Sequence, residues 1–228
     1  MKRALLLSGG PGHDSAATST ILADLLAVEG VRAAVVTDPT EVFDRLAADE
    51  PDLLVVNARR WHELRDHHSH QQDEWAATTP PTAAPSVAGH LSRGGGILCV
   101  HTGFMCFDDW PGWGELLGGA WDWDRSSHAA AGPIDVVVHA DRHPIVHGLN
   151  DFETHDEVYG FLHHPTPVEA LASSGHGGSM HPVLWAHERE RGRVVVDTLG
   201  HDPRSYEARQ HRDIIRRSIR WTSRVALA

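Results

Sequence analysis

Three short apolar runs, Ala4 to Leu7, Val31 to Val36 and Leu53 to Val56, restrict the fold of this 228-residue chain more than any other feature. None of them alternates with polar residues. Strands of that kind are buried on both faces, and strands separated by helices run parallel in one sheet. The intervening segments carry helical spacing: Ile21, Leu22, Leu25 and Leu26 follow Asp14, and Val42, Phe43 and Leu46 lie within Glu41 to Ala48. A helix over Ser86 to Arg93 then leads through Gly94-Gly95-Gly96 into a fourth strand, Ile97 to Val100. The expectation is an α/β fold, a mainly parallel sheet with helices on both faces.

Further strands are expected at Ile134 to His139, Val168 to Ala172, Val183 to Ala186 and Val194 to Val196, and a closing helix from about Tyr206 to Arg224. In that helix Ile214, Ile215, Ser218, Ile219 and Trp221 form the inner stripe. Two stretches break the rhythm. Asn57 to Pro85 reads as an irregular insertion, and Trp110 to Trp123, rich in Trp and Gly, as a rigid loop rather than a regular element. No repeat or linker divides the chain, so residues 1–228 are read as one domain.

Composition narrows the function classes. With 41% hydrophobic and 22% charged residues the chain is neither disordered nor fibrous. The formal charge of -11 and the absence of a basic face, apart from the last helix, argue against nucleic acid as partner. No apolar run approaches the roughly 20 residues of a membrane helix. The start lacks the roughly 7 to 15 apolar residues of a secretion signal. Two cysteines, Cys99 and Cys106, make no disulfide framework, and both read as buried small hydrophobes. The expected location is cytoplasmic.

Nineteen residues are histidine. Three of them occupy the place where open parallel sheets bind ligands, the carboxyl ends of strands. His13 follows the first strand in Gly9-Gly10-Pro11-Gly12-His13-Asp14, His101 follows the fourth directly, and His201 follows Val194 to Gly200. The Gly9 to Gly12 turn has neither the dinucleotide nor the phosphate-loop pattern, so no nucleotide cofactor is expected. The cluster His62, His67, His68 and His70, set among Arg59, Arg60, Arg65, Asp66, Gln71, Gln72 and Asp73, reads as an exposed polar segment with weak surface chelation.

The run Gly94 to Phe104 is followed by Trp110-Pro111, Leu117-Gly118-Gly119, Ser127-His128, His143-Pro144-Ile145 and Asp156-Glu157-Val158-Tyr159. Then come His181-Pro182-Val183 with Trp185, and Gly192-Arg193-Val194 with Leu199-Gly200-His201-Asp202. Together these motifs resemble the ThuA-like trehalose-utilisation family over nearly the whole chain. The resemblance implies the flavodoxin-like, doubly wound fold of class I glutamine amidotransferases. In those enzymes a strand-to-helix elbow presents a nucleophilic cysteine. Here Val100-His101-Thr102-Gly103 falls at the elbow and His101 replaces the thiol, so glutamine hydrolysis is not expected. Gly200-His201-Asp202-Pro203 resembles the stretch carrying the amidotransferase histidine and its acidic partner.

Two readings of the histidines stay open at this point. In one, His13, His101, His128 and His201 bind Zn2+ or another divalent metal, assisted by Glu157. In the other, His101 and His201 work without metal as an acid/base pair on a polyol or keto-sugar, with Glu157 as base or orienter. Either way His101, His201 and Glu157 are the expected catalytic residues, with His13, Phe104, Trp110, Trp121 and Asp202 against the substrate. Trp110, Trp113, Trp121, Trp123 and Phe107 can offer apolar platforms to sugar rings, with Asp108, Asp109, Asp122 and Asp124 taking hydroxyl hydrogens. The same aromatic loop also suits a homo-oligomer contact. The expected activity is that of a sugar-modifying hydrolase, lyase or isomerase. The alternative is a non-catalytic sugar-binding or partner module on a degenerate amidotransferase scaffold.

Overall fold

The computed structural model describes residues 1–62 and 70–225. Its first half alternates strand and helix, with two helices in succession before the last strand: β1 (Lys2–Gly9), α1 (Ser15–Val28), β2 (Val31–Val36), α2 (Pro39–Ala48), β3 (Leu53–Ala58), the single turn α3 (Gln72–Trp75), α4 (Ala83–Ser92) and β4 (Gly96–Val100). A 3-10 turn over His101–Met105 and α5 (Pro111–Leu117) follow. The second half is mostly β: β5 (Ser127–His128), β6 (Gly132–Val138), β7 (Phe152–Asp156), β8 (Tyr159–Gly160), β9 (Ala170–His176), β10 (Ser179–Arg189) and β11 (Gly192–Asp197). A 3-10 turn over Pro203–Glu207 and α6 (Arg209–Ser223) close the described chain.

Nine strands form one sheet in the order β2-β1-β3-β4-β11-β10-β9-β6-β7, and β5 pairs with β8 apart from it. The first five are parallel. The strand order reverses between β1 and β3, which makes their carboxyl ends the switch point of the sheet. Successive strand residues face opposite sides. Leu5, Leu7, Leu54, Val56, Ile97 and Cys99 therefore pack with α2, α4 and α5 through Val42, Phe43, Leu46, Val87, Leu91 and Trp113. Ala4, Leu6, Leu53, Val55, Leu98 and Val100 pack with α1 and α6 through Leu22, Leu26, Ile214, Ile215 and Ile219. Each fully buried Leu, Ile or Val contributes about 1.5–3 kcal/mol. β1, β3 and β4 are buried on both sides as their apolar runs require, whereas β2, at the edge of the sheet, leaves Arg32 and Val35 exposed; the fold class is as expected.

The remaining four strands, β10, β9, β6 and β7, extend the sheet in antiparallel fashion. Here the sequence was harder to read. β10 runs from Ser179 to Arg189 rather than Val183 to Ala186 because a tight turn at Gly177-Gly178 pairs His176 with Ser179. β9 is displaced with it, to Ala170–His176. β7 was not expected at all, since Phe152-Glu153-Thr154-His155-Asp156 carries one large apolar side chain.

Three other expectations need correction. Trp110 to Trp123 is not loop throughout: Pro111 opens α5 and Gly118, at φ 76°, closes it in the left-handed conformation that glycine adopts readily. The insertion after Asn57 is shorter than expected, because β3 continues to Ala58 and α4 begins at Ala83. The closing helix starts at Arg209, with Tyr206 in the preceding 3-10 turn. Among the described residues no helix is long and apolar enough to cross a membrane.

Candidate functional site

Five chain segments deliver side chains to one place at the carboxyl ends of the parallel strands. His13 lies between β1 and α1, next to Asp14, whose carboxylate caps the helix by accepting from the Ala17 N–H at 3.0 Å. His101 is the first residue after β4 and has φ 50°, a region costly for a side chain with a Cβ. That is the elbow expected from the resemblance, with imidazole at its apex. His201 follows Gly200, whose φ of 117° and close approach to the Tyr206 hydroxyl leave no room for a Cβ. Glu157 follows β7, and His128 sits on β5 directly opposite Tyr159 of β8.

The centre of the group is the Glu157 carboxylate. Its Oε2 lies 3.3 Å from His201 Nδ1, 3.9 Å from His101 Nε2 and 4.0 Å from His13 Nε2. Oε1 lies 3.4 Å from His128 Nδ1. The His13, His101 and His201 rings meet edge to face at 4.6 to 5.4 Å between centroids. His13, His101, His201 and Glu157 each offer a ligand atom, all within 4.8 Å of one another. His128 stands outside that set, more exposed, on the far carboxylate oxygen.

Protonation states follow from the surroundings. His101 Nδ1 lies 3.1 Å from the Thr198 carbonyl, which can only accept. A neutral His101 therefore carries its proton on Nδ1 and turns a lone pair on Nε2 toward the cluster. Burial, then the neighbouring His13, hold its pKa well below the ordinary value. Burial likewise lowers that of His13. The Glu157 carboxylate raises the pKa of both His201 and His128. Burial pushes Glu157 up, but the imidazoles of His128, His13, His201 and His101 outweigh it and hold the carboxyl far below its usual range. The Tyr159 hydroxyl reaches Glu157 Oε2 at 2.9 Å and His101 Nε2 at 3.2 Å, and with one proton it can serve only one of them. His13 Nδ1 and His201 Nδ1 are buried without a well-aligned hydrogen bond, although His201 Nδ1 is close to the carboxylate.

A second layer fixes this layer in place. Asp156 is fully buried, and its carboxylate accepts from the N–H groups of Gly200 (2.7 Å), His201 (3.3 Å) and Glu157 (2.8 Å) and from the Ser205 hydroxyl. Ser205 in turn touches His211 Nδ1 at 3.0 Å, and His211 Nε2 lies 3.2 Å from Asp197. One carboxylate thereby sets the backbone of two cluster residues.

The remaining expected residues are spread out. Trp121 borders the cluster, 6.1 Å from the His128 ring and 6.0 Å from that of Tyr159. Phe104 is buried behind it, edge-on to Tyr159 at 5.4 Å. Trp110, partly buried, packs on Trp113 at 5.8 Å against the core. Asp202 caps the 203–207 turn and pairs with Arg204. Asp108 accepts from the His62 N–H and Asp109 from that of Thr79, so these two tie loops together. His62 and His70 are exposed, and His67 and His68 lie outside the described residues. Arg59 and Arg60 correct the reading of an exposed polar segment: they are 8% and 5% exposed, directly after β3 at the switch point. Their position behind a buried strand was the available signal. Cys99 and Cys106 are buried and free, and burial lifts the Cys106 thiol to about 12.

The profile of the ThuA family, described as trehalose utilisation, matches residues 3–222. The chain belongs to the ThuA family. Among solved structures, a ThuA-like protein from Parabacteroides merdae superposes with a TM-score of 0.78 at 16% identity, covering 97% of this chain and 90% of that one. A ThuA-like protein from Bacteroides uniformis gives 0.71 at 16% identity, covering 97% and 91%. A β-galactosidase from Bacillus circulans sp. alkalophilus contains a similar fold, with a TM-score of 0.60 at 14% identity, covering 98% of this chain and 31% of that one. No curated protein matches the sequence.

Proposed function

We propose that this ThuA protein converts a sugar or sugar derivative in the cytoplasm at the His/Glu cluster, and that His13, His101, His201 and Glu157 hold a divalent cation such as Zn2+. The observation that carries the reading is the convergence of four ligand atoms within 4.8 Å, three of them imidazole nitrogens from separate loops. Nitrogen and carboxylate ligands at about 2.0–2.2 Å from a tetrahedral ion stand roughly 3.3–3.5 Å apart. The 3.3 Å, 3.9 Å and 4.0 Å separations from Glu157 Oε2 need only a small contraction to reach that. The donor chemistry agrees. His101 presents a lone pair, His201 Nδ1 is buried without a well-aligned hydrogen bond, and the carboxylate is ionised.

A bound divalent ion would act as a Lewis acid toward a sugar carbonyl or hydroxyl. The chain's own groups do the rest. The Tyr159 hydroxyl orients Glu157, and Asp156 fixes the backbone from which Glu157 and His201 project. His128, half open to solvent and paired with Glu157, is placed to pass a proton between substrate and water. Trp121 offers an apolar face beside it.

The test is metal analysis by mass spectrometry on tag-free protein, with His101→Ala in parallel. About one equivalent per chain in the wild type, lost in the variant along with sugar turnover, is the expected result. Equal and trace metal in both proteins would remove the metal. Unchanged turnover in His101→Ala and His201→Ala would remove the site.

A further inference from the structure

We infer that this protein binds a small organic oxyanion, a phosphate or carboxylate carried on an apolar body, in a pocket between α6 and the loop after β6. The pocket has a volume of about 390 Å3, within the range of roughly 300–1,000 Å3 typical of small-molecule sites. It shares no residue with the His/Glu cluster. Arg193, on its wall, pairs with Gly96 at the start of β4, whereas His101 follows the end of that strand, so the two sites lie at opposite ends of the sheet. The ligand is therefore independent of the reaction proposed at the cluster.

The first support is that four guanidiniums border one void. Arg217, Arg220 and Arg224 stand at i, i+3 and i+7 along α6 and its cap, a spacing that puts them on one face, and Arg193 joins them from β11. No Asp or Glu is among the lining residues. Two larger cavities, one beside Lys2 and one beside Thr37, both have carboxylates in their walls, and the whole chain carries a formal charge of -11. The positive charge is thus a local feature of this pocket, and a cleft lined by one sign of charge concentrates ions of the other.

The second support is that two of these charges are held in place without being neutralised. Arg220 pairs with Glu29, and Arg193 with Glu188 at 3.2 Å. Arg217 and Arg224 form no ion pair with the described residues. Arg217 Nη1 donates to the carbonyls of His147 at 2.7 Å and Ile145 at 3.4 Å, and Arg224 Nη2 to that of Arg191 at 2.6 Å. A guanidinium has five N–H donors, so these bonds fix each head group and leave it donors for an anion.

The third support is the apolar part of the wall. Trp221 continues the same helical face at i+4 from Arg217; the Arg193 guanidinium lies over its ring at 4.9 Å, and His143 meets it edge to face at 4.8 Å. Pro144, Ile145 and Val225 complete the lining. Planar forks that match a carboxylate or phosphate therefore stand beside a surface for the apolar body that carries it. Cations are favoured at any helix C-terminus, which accounts for Arg220 and Arg224 but not for Arg193, delivered from the sheet. Nor is this a solvated basic face: the side chains of Arg193 and Arg220 are 24% and 27% exposed, against 87% for Arg209 at the start of the helix.

Isothermal titration at constant ionic strength tests this with phenyl phosphate, benzoate, inorganic phosphate and benzyl alcohol. Wild type is expected to bind phenyl phosphate or benzoate at least about tenfold tighter than benzyl alcohol, which has the ring without the charge, and tighter than inorganic phosphate, which has the charge without the ring. The phosphate and carboxylate arms identify the oxyanion. Arg217→Gln/Arg224→Gln should lose about tenfold or more, and Arg217→Lys/Arg224→Lys should recover part of it. Arg209→Gln/Arg212→Gln removes the same charge from α6 outside the pocket and should bind as wild type does. Arg224→Gln alone, at an exposed position, gives a loss in the same direction if the double variant unfolds. Equal losses in the two Gln pairs, equal binding of benzyl alcohol and phenyl phosphate, or no binding of any of these anions at millimolar concentration overturns the inference. So does binding that survives in Arg217→Gln/Arg224→Gln and is lost in His101→Ala, which places the anion at the cluster instead.

Discussion

Replacing Asp156 by Asn tests whether one buried carboxylate holds the cluster together. The volume hardly changes, so the effect is one of hydrogen bonding alone. In the native site two oxygens accept from four donors: the N–H groups of Gly200, His201 and Glu157, and the Ser205 hydroxyl. Asparagine keeps one acceptor oxygen and puts an NH2 in place of the other. Whichever way the amide turns, at least one buried backbone N–H then faces another donor. That costs about 1–3 kcal/mol, with about 1 kcal/mol more for the lost bonds to a carboxylate, or about 2–4 kcal/mol in all. In a domain of this size each kcal/mol lowers Tm by about 2–4 °C, so a fall of about 4–16 °C is expected. Because both Glu157 and His201 hang from Asp156, affinity for the proposed cation should drop by about 10–100-fold as well. Urea unfolding followed by circular dichroism, with metal titration on the same samples, measures both. Ser205→Ala is the comparison, since it removes one donor and leaves Asp156 its backbone partners: about 1 kcal/mol, with metal binding retained. A variant Asp156→Asn within about 0.5 kcal/mol of wild type and with full metal affinity would refute the reasoning, since a loss that small is typical of surface substitutions.

Other consequences follow from the same geometry. Burial disfavours the His211 cation, but the carboxylates of Asp197 and Asp156 outweigh it and raise its pKa. A raised folded pKa stabilises below the unfolded value of about 6.5 and is lost as pH rises through the folded one. The stability gap between wild type and His211→Gln should therefore narrow from pH 6 to pH 9, and a gap that widens over that range contradicts the pairing. Glu157→Gln removes the charge that raises His128 and His201, so both imidazole titrations, followed by NMR, should move to lower pH. Burial raises both thiols, so neither Cys99 nor Cys106 should react with iodoacetamide at pH 8 until urea is added; labelling of native protein would show that the elbow opens. A Cβ at Gly103 would stand 2.4 Å from the Val56 carbonyl oxygen, so Gly103→Ala should cost about 1–3 kcal/mol in urea unfolding.

Three of the cluster's histidines could be read from the sequence because the rule that finds them is local. An apolar run ends, a turn follows, and His13, His101 or His201 stands at the carboxyl end of the strand. Glu157 and His128 came only from the family motifs, since β7 has one large apolar residue and β5 has two residues in all. Neither strand leaves a periodic trace, and the two residues meet only because β5 and β8 pair across thirty-odd positions. Asp156 escaped for a different reason. Its role lies in the donors it collects from Gly200, His201 and Ser205, all more than forty residues away.

Arg59 shows where composition misleads. Among histidines, glutamines and aspartates it resembles an exposed polar segment, and long charged side chains are almost never fully buried unless paired. The strand decides otherwise. β3 lies between β1 and β4 with all six residues buried, so the chain cannot reach the surface within one or two positions of Ala58. A cation placed there must face the crevice or the core. Arg60 takes the second course, spending its N–H groups on backbone carbonyls. Arg59 lies over the Trp61 ring, 4.9 Å from its centroid, and its charge acts on His13 and His128. The polarity of a residue just past a central strand therefore says little about its exposure.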